Sequence, residues 1–247
     1  MKNLLQFEFR KLTRKKSYYI CTVISFALLL MMVLLFNFLL KIAQTDEYKA
    51  VDLVLQCVNN GSFTLLAGIF AILFVCEDYQ LQTVKNVYAR GYSQKNVYLA
   101  KLIVTLGAAS AMYLALQIFA FLLGAFFFGV GEVESGKYFA VLAVQYVTAM
   151  AEVTFAFFLA SIFCKSGTSI ATFVLSSTMS SLLFGLLDLM FELEKIDLND
   201  YWVTSFLGDL QSLTVKTDRL LECLFGSLIY IAVFILIGMF GNKRVKL

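Results

Sequence analysis

Residues Tyr18–Leu40 read YYICTVISFALLLMMVLLFNFLL, 23 consecutive residues without a charge. The hydrocarbon core of a bilayer is about 30 Å thick and takes about 20 apolar helical residues to cross. This run is long enough to span it, and exceeds the apolar core of a cleavable signal, about 7–15 residues. No small-residue cleavage site follows, so the segment is expected to stay as an anchor. Five further runs follow along the chain, at 54–76, 102–130, 138–164, 166–187 and 223–242. The second is the most polar, through Asn59, Asn60, Gly61 and Ser62, and the fourth contains one acid, Glu152. Lipid offers no partner for open backbone N–H and C=O groups, so runs of this length are read as helices. The expected fold is all-α, a polytopic membrane protein with six transmembrane helices spread over 18–247 and preceded by a separate segment, 1–17.

Composition agrees. The 247 residues are 60% hydrophobic and 15% charged, with a mean hydropathy of +0.82. A soluble domain keeps about 25% charged residues to cover its surface. Fourteen of the 20 Lys and Arg residues fall in four places: the N-terminus, the 77–101 loop, Lys165 and the tail after the last span. The alternate loops hold most of the acids. Basic loops stay on the cytoplasmic side, so both termini are expected there, which requires an even number of spans.

Several function classes are excluded. The chain has no His, which removes the commonest general base and metal ligand. It has no Pro, so helix breaks must come from Gly or Ser. Its five cysteines (Cys21, Cys57, Cys76, Cys164, Cys223) show no metal-ligand spacing,. Isolated Cys in apolar helices usually packs, although Cys57 and Cys223 fall near the same side and could pair. Gly131–Tyr138 nearly matches a phosphate-binding loop, but an apolar span precedes it and Tyr138 stands where a hydroxyl would bind Mg²⁺,. It reads as a short acidic turn. The chain is not expected to be an enzyme, and nothing in it points to nucleic acid.

Two segments outside the spans carry pattern. In the first 17 residues, Leu5, Phe9 and Leu12 share one helical face while Arg10, Lys11 and Arg14 lie off it. This predicts a basic amphipathic helix at the membrane interface, near anionic lipid; a plain basic flank that sets topology is the alternative. In the 77–101 loop, Leu81, Val84 and Tyr88 recur at helical spacing,. Gly91 suits a helix C-cap and Ser93 the N-cap of the next helix. The result is a helix–elbow–helix under the membrane, able to lie on lipid or dock into a partner.

Within the spans, Ser169, Thr172, Ser176 and Ser180 align on one face of the fifth. Small hydroxyl residues permit close helix contact, so this face either packs tightly or lines a transport path or dimer seam. Glu152 lies mid-span, where an ionisable residue is a functional candidate. A protonated Glu hydrogen-bonded to a neighbouring helix is the equal alternative.

The start Phe7-Glu8-Phe9-Arg10-Lys11-Leu12 and the loop from Glu77-Asp78 through Gln82-Thr83-Val84-Lys85-Asn86, Arg90-Gly91-Tyr92-Ser93 and Lys101-Leu102 resemble the permease subunits of ABC-2-type exporters. They are most similar to the bacterial branch tied to bacitracin and lantibiotic resistance or immunity. The resemblance implies a bacterial plasma-membrane location and two permeases, identical or merely similar, paired with two ATPase subunits that bind the ATP and Mg²⁺. It implies that the loop is a coupling elbow, with Glu77, Thr83, Lys85, Asn86, Arg90, Gly91 and Ser93 belonging to the ATPase-coupling element. The family commonly has Gly just before the Thr, where this chain has Gln82. The resemblance also implies that segment 188–219, which contains Tyr201 and Trp202, forms short re-entrant helices; a solvated acidic loop is the alternative. The expected function is export or extraction of an amphipathic substrate, with a peptide antibiotic favoured. The competing reading is a non-transporting sensor or sequestration protein for a peptide or lipid.

Overall fold

The computed structural model describes residues 2–43, 48–58, 62–131, 135–191, 198–213 and 215–241. Helix α1 (Lys2–Arg14) turns at Lys15 into α2 (Lys16–Ala43). A short α3 (Ala50–Gln56) precedes α4 (Ser62–Gln80), and the short α5 (Thr83–Ala89) leads into the long α6 (Gln94–Phe128). Then follow α7 (Ser135–Phe163), α8 (Ser166–Phe191), a 3₁₀ turn at Leu198–Tyr201, α9 (Val203–Asp209) and α10 (Thr217–Gly241). No strand occurs among the described residues.

Five helices are long and apolar enough to cross a membrane: Lys16–Ile42, Phe63–Gln80, Gln94–Phe128, Gly136–Phe163 and Thr217–Met239. The run expected at 166–187 coincides with α8, 26 residues long and rich in Ser and Thr. The run expected at 54–76 differs from the structure. Its first residues belong to α3, residues 59–61 lie outside the described set, and the spanning helix continues to Gln80. Instead of continuing the span, α3 packs onto α6. There Gly124 leaves room for it: a Cβ at Gly124 would come within 2.7 Å of Ala50 Cα.

The helices nearest the axis are α4 and α7, each 67% buried over its most apolar window, whereas α2 and α10 are 17% buried. Thr64 meets Glu152, and Cys76 Sγ lies 3.8 Å from Ala160 O, so α4 and α7 run in the same direction. The same holds for α7 and α10, joined by Thr148–Ser227 at 2.9 Å and by Phe155–Phe234 at 5.0 Å between ring centroids. A polar seam fixes α3: Gln145 Nε2 donates to Leu55 O at 2.7 Å, pairing a carbonyl of the last turn that the helix cannot pair itself. Gln117 Nε2 donates to the Tyr113 hydroxyl at 2.9 Å. Cys57 and Cys223, like the other three cysteines, are free thiols.

The described part of the 188–219 segment, from Leu198, packs against the long helices. Phe206, Leu207 and Leu210 are buried, and the Trp202 ring meets Phe155, Phe184 and Tyr230 at 5.8, 5.5 and 5.7 Å. Phe155 lies in the second half of α7, so Trp202 reaches past the midpoint of that helix. Arg219 fastens the segment, with Asp209 at 2.8 Å and the carbonyl of Asp200 at 2.7 Å. Residues 192–197 of this segment lie outside the described set, as do 132–134 and the tail after Gly241.

Candidate functional site

At the α1 end of the bundle, charged residues from three helices converge in a nearly water-free setting. Glu8 of α1 is 1% exposed, Asp78 of α4 is 3% and Lys101 of α6 is 4%. Lys101 Nζ pairs with Asp78 and with Glu8 at 3.1 Å. Lys11 of α1 pairs with the other oxygen of Asp78, and Lys15 pairs with Glu77. Both Lys11 and Lys101 stand over the Phe74 ring, 5.3 and 5.6 Å from its centroid. Burial, and after it the neighbouring Lys101 ammonium, lower the Lys11 pKa from its ordinary value. A charge withdrawn from water is tolerated only when it is paired and hydrogen-bonded. Here each acid has a cation, and the cations tie α1, α4 and α6 together.

This packing alters the expected face of α1. Its buried residues are Leu4, Glu8 and Leu12, spaced by four, and Phe9 is 59% exposed. Leu4 packs on Val97 and Ala100 of α6 and reaches Val87 and Tyr88 of α5. The helix docks on the bundle, where the acid at that spacing meets Lys101.

The elbow is attached to the same cluster. Thr83 Oγ1 donates to Asp78 Oδ1 at 2.9 Å, so the first residue of α5 is held by the carboxylate that pairs with both lysines. Gln82, immediately before it, has φ +55°, in the left-handed region that glycine enters freely and other residues at a cost. The Gly that the resemblance implies at this position would enter that region without the cost. Val84 is buried, Val87 and Tyr88 are half-buried, and Leu81 is exposed in the turn, so the packed face of α5 is 84–87–88. Lys85 and Arg90 point away from the bundle and are exposed. Gly91, with φ +85°, closes α5 through a bond from its N–H to Tyr88 O at 2.8 Å. Ser93 Oγ accepts from Asn96 N–H at 3.4 Å and caps α6. Asn86 lies on α5, but its side chain falls outside the described set.

The other candidates lie apart from this cluster. Glu152 is 5% exposed, hydrogen-bonded to Thr64, and borders a cavity of about 10 Å³ with Phe173, Ser176 and Trp202. Such a volume holds about one water molecule. Ser176 shares that cavity; Ser169, Thr172 and Ser180 do not line it. Ser169 is buried against α7, its hydroxyl 3.5 Å from Leu159 O. Thr172 donates back to Thr168 O at 2.9 Å, and Ser180 lies 3.5 Å from Ser177 O. Among the described residues, no three acids or cysteines gather as a metal site.

Glu8, Lys11, Asp78 and Lys101 all fall within the two motif stretches of the sequence, but nothing in their spacing pairs them with one another. The usable signal was an acid spaced by four from two inward leucines, together with opposite charges at facing ends of α4 and α6. Two outcomes are expected. Asp78→Asn should destabilise the full chain by about 3–5 kcal/mol, the usual cost of removing one partner from a buried pair, and Lys101→Met added to it should restore part of the loss. Thermal unfolding in detergent reads this out; a single variant as stable as the parent would show that the network contributes nothing. Gln82→Gly should raise stability by about 1 kcal/mol through relief of the left-handed backbone, whereas Gln82→Ala should leave the same unfolding midpoint unchanged.

Comparison with known proteins places the chain. No curated protein matches it. The family described as ABC-2 family transporter protein matches residues 4–188, from α1 through most of α8, and so contains both the charge cluster and the elbow. That match and the apolar helices together make this a multi-pass membrane protein. The chain belongs to the ABC-2 family of transporter proteins.

Proposed function

We propose that this chain is the membrane-spanning subunit of an ATP-driven exporter in the bacterial plasma membrane. A separate ATPase subunit, binding ATP and Mg²⁺, docks on the exposed side of α5. The observation that carries the reading is the two-sided character of that helix. Its outward side offers Gln82, Lys85 and Arg90, and its inward end is held through Thr83 by the carboxylate shared between α4, α6 and α1. A push on α5 therefore acts on three helices at once. Coupling of this kind is a shift between two arrangements of the bundle, driven by the difference in partner affinity for them.

In this reading the six runs all span, with α8 as the fifth, and the basic distribution places both termini in the cytoplasm. The 188–219 segment is then a lid dipping in from the outer face. Two permeases, identical or similar, act together. The substrate is an amphipathic peptide of the bacitracin or lantibiotic kind, a choice supported by the sequence resemblance alone. The cavity at Glu152 is far too small for a peptide, so a path would have to form between α8 and a second copy or in another state of the bundle. The sensor or sequestration reading would use the same elbow without stimulating ATP hydrolysis.

Gentle purification of the tagged chain from its native membrane, followed by identification of its companions and an ATPase assay, tests the proposal. A stoichiometric ATPase should accompany the parent chain and be lost from Lys85→Glu/Arg90→Glu, with the permease fold intact. A chain that emerges alone, with no nucleotide-dependent behaviour, favours the sensor. In the coupled system Glu152→Gln should retain folding and transport, because the amide still bonds Thr64, whereas Glu152→Leu leaves a buried hydroxyl unpaired at about 1–3 kcal/mol. A well-expressed but inactive Glu152→Gln variant would assign the charge itself a role.

A further inference from the structure

Two grooves run along opposite flanks of α1, and Arg10 borders both. The first, about 690 Å³, is walled by Leu5 and Phe9 of α1, Tyr19 of α2, and Ile103, Gly107 and Ala111 of α6. The second, about 720 Å³, is bordered by Arg10, Lys11, Arg14, Lys15 and Lys16, with Glu77 as its one acid. The cations differ in what they do. Lys11 and Lys15 turn inward to Asp78 and Glu77. Arg10, Arg14 and Lys16 are exposed and enter no ion pair among the described residues.

The two grooves also differ in depth. Lys16 opens the first apolar span, so the basic groove lies at the membrane boundary. Gly107 and Ala111 follow Lys101, the α6 member of the charge cluster, by about 9 and 15 Å along the helix at about 1.5 Å per residue, so the apolar groove leads from the boundary toward the hydrocarbon. Fixed positive charge at the boundary beside an apolar slot leading inward matches one class of molecule.

We propose that the paired grooves bind one anionic phospholipid from the leaflet that holds α1. Its phosphate lies among Arg10, Arg14 and Lys16, and one acyl chain runs along Gly107 and Ala111. A free phosphate would leave the apolar groove without an occupant. An apolar helix from a second copy would leave three cations without counter-charge. The site does not depend on the transport reading, only on the chain being in a membrane.

The test uses the full chain in detergent, titrated with phosphatidylglycerol or with phosphatidylcholine of the same acyl chains, with bound lipid counted by native mass spectrometry. One phosphatidylglycerol should be held in preference to phosphatidylcholine. Arg10→Gln and Arg14→Gln should each weaken it about fivefold, in line with the usual contribution of a basic residue near anionic lipid. Gly107→Leu should abolish retention by filling the slot. A Cβ at Gly107 meets nothing within 4 Å, so the fold has room for it, and exposed Ala111→Leu serves as a second filling variant. The proposal is overturned if the filling variants keep the lipid and only the charge variants lose it, since attraction would then be diffuse. Displacement by free glycerol phosphate would overturn it in favour of a soluble anion. Disulfide-linked dimers of Gly107→Cys in the membrane would overturn it in favour of a second copy.

Discussion

A carboxylate at the end of a membrane helix, with almost no access to water, constrains everything near it. Asp78 can stay ionised there only with cations in contact, and the chain supplies Lys101 from α6 and Lys11 from α1. The second lysine contact brings in Glu8, and the remaining acceptor capacity of Asp78 takes the Thr83 hydroxyl. The positions of α1, α4, α5 and α6 are therefore not independent. Apolar burial alone could not specify this arrangement, because lipid tails are as apolar as the side chains they would displace. Charge pairing supplies the directionality that hydrophobic contact lacks.

The helical class of the protein was legible in the sequence because span length is a one-dimensional property: an uncharged run such as Tyr18–Leu40 has few other solutions in a bilayer. Local capping at Gly91 and Ser93 was legible for a similar reason, since it depends on neighbours a few residues away. The division of 54–76 was less so. Hydropathy averages over the polar Asn59–Ser62 break, and the fact that α3 turns back onto Gly124 depends on a contact about seventy residues distant. The Leu5–Phe9–Leu12 stripe of α1 lines one groove as its spacing implies, but the second, inward face of Leu4, Glu8 and Leu12 was not legible, because a hydrophobic stripe assumes that acids point outward. Glu8 points inward, and only its partner on α6 explains why. Leu81 was likewise placed on the elbow helix by spacing, whereas the left-handed residue after it starts the helix one position later.

At the other end, the constraint is on backbone polarity. The 3₁₀ turn and α9 are short, and their ends leave N–H and C=O groups without helical partners. The aromatic rings of Phe155, Phe184, Trp202, Tyr230 and Phe234 pack together on one side of this segment. Arg219 and the Tyr230 hydroxyl accommodate exposed carbonyls, the latter by donating to Tyr201 O at 3.0 Å. Glu152 lies beneath this segment, so its seclusion from water depends on the same rings.

The sequence distance within the charge cluster has a consequence for synthesis. Glu8 and Lys101 are separated by 93 positions, and Lys11 and Asp78 by 67. While the first span is being inserted, Glu77 and Asp78 at the end of α4 and Lys101 of α6 do not yet exist. In that interval Lys11 and Lys15 lack the acids they later pair with, and basic residues beside a first span bias the way it inserts. Once α4 and α6 are in place, the same two lysines become internal partners. A residue that first guides insertion is then consumed by the finished structure, and a mutation there would be felt twice, at different moments in the life of the chain.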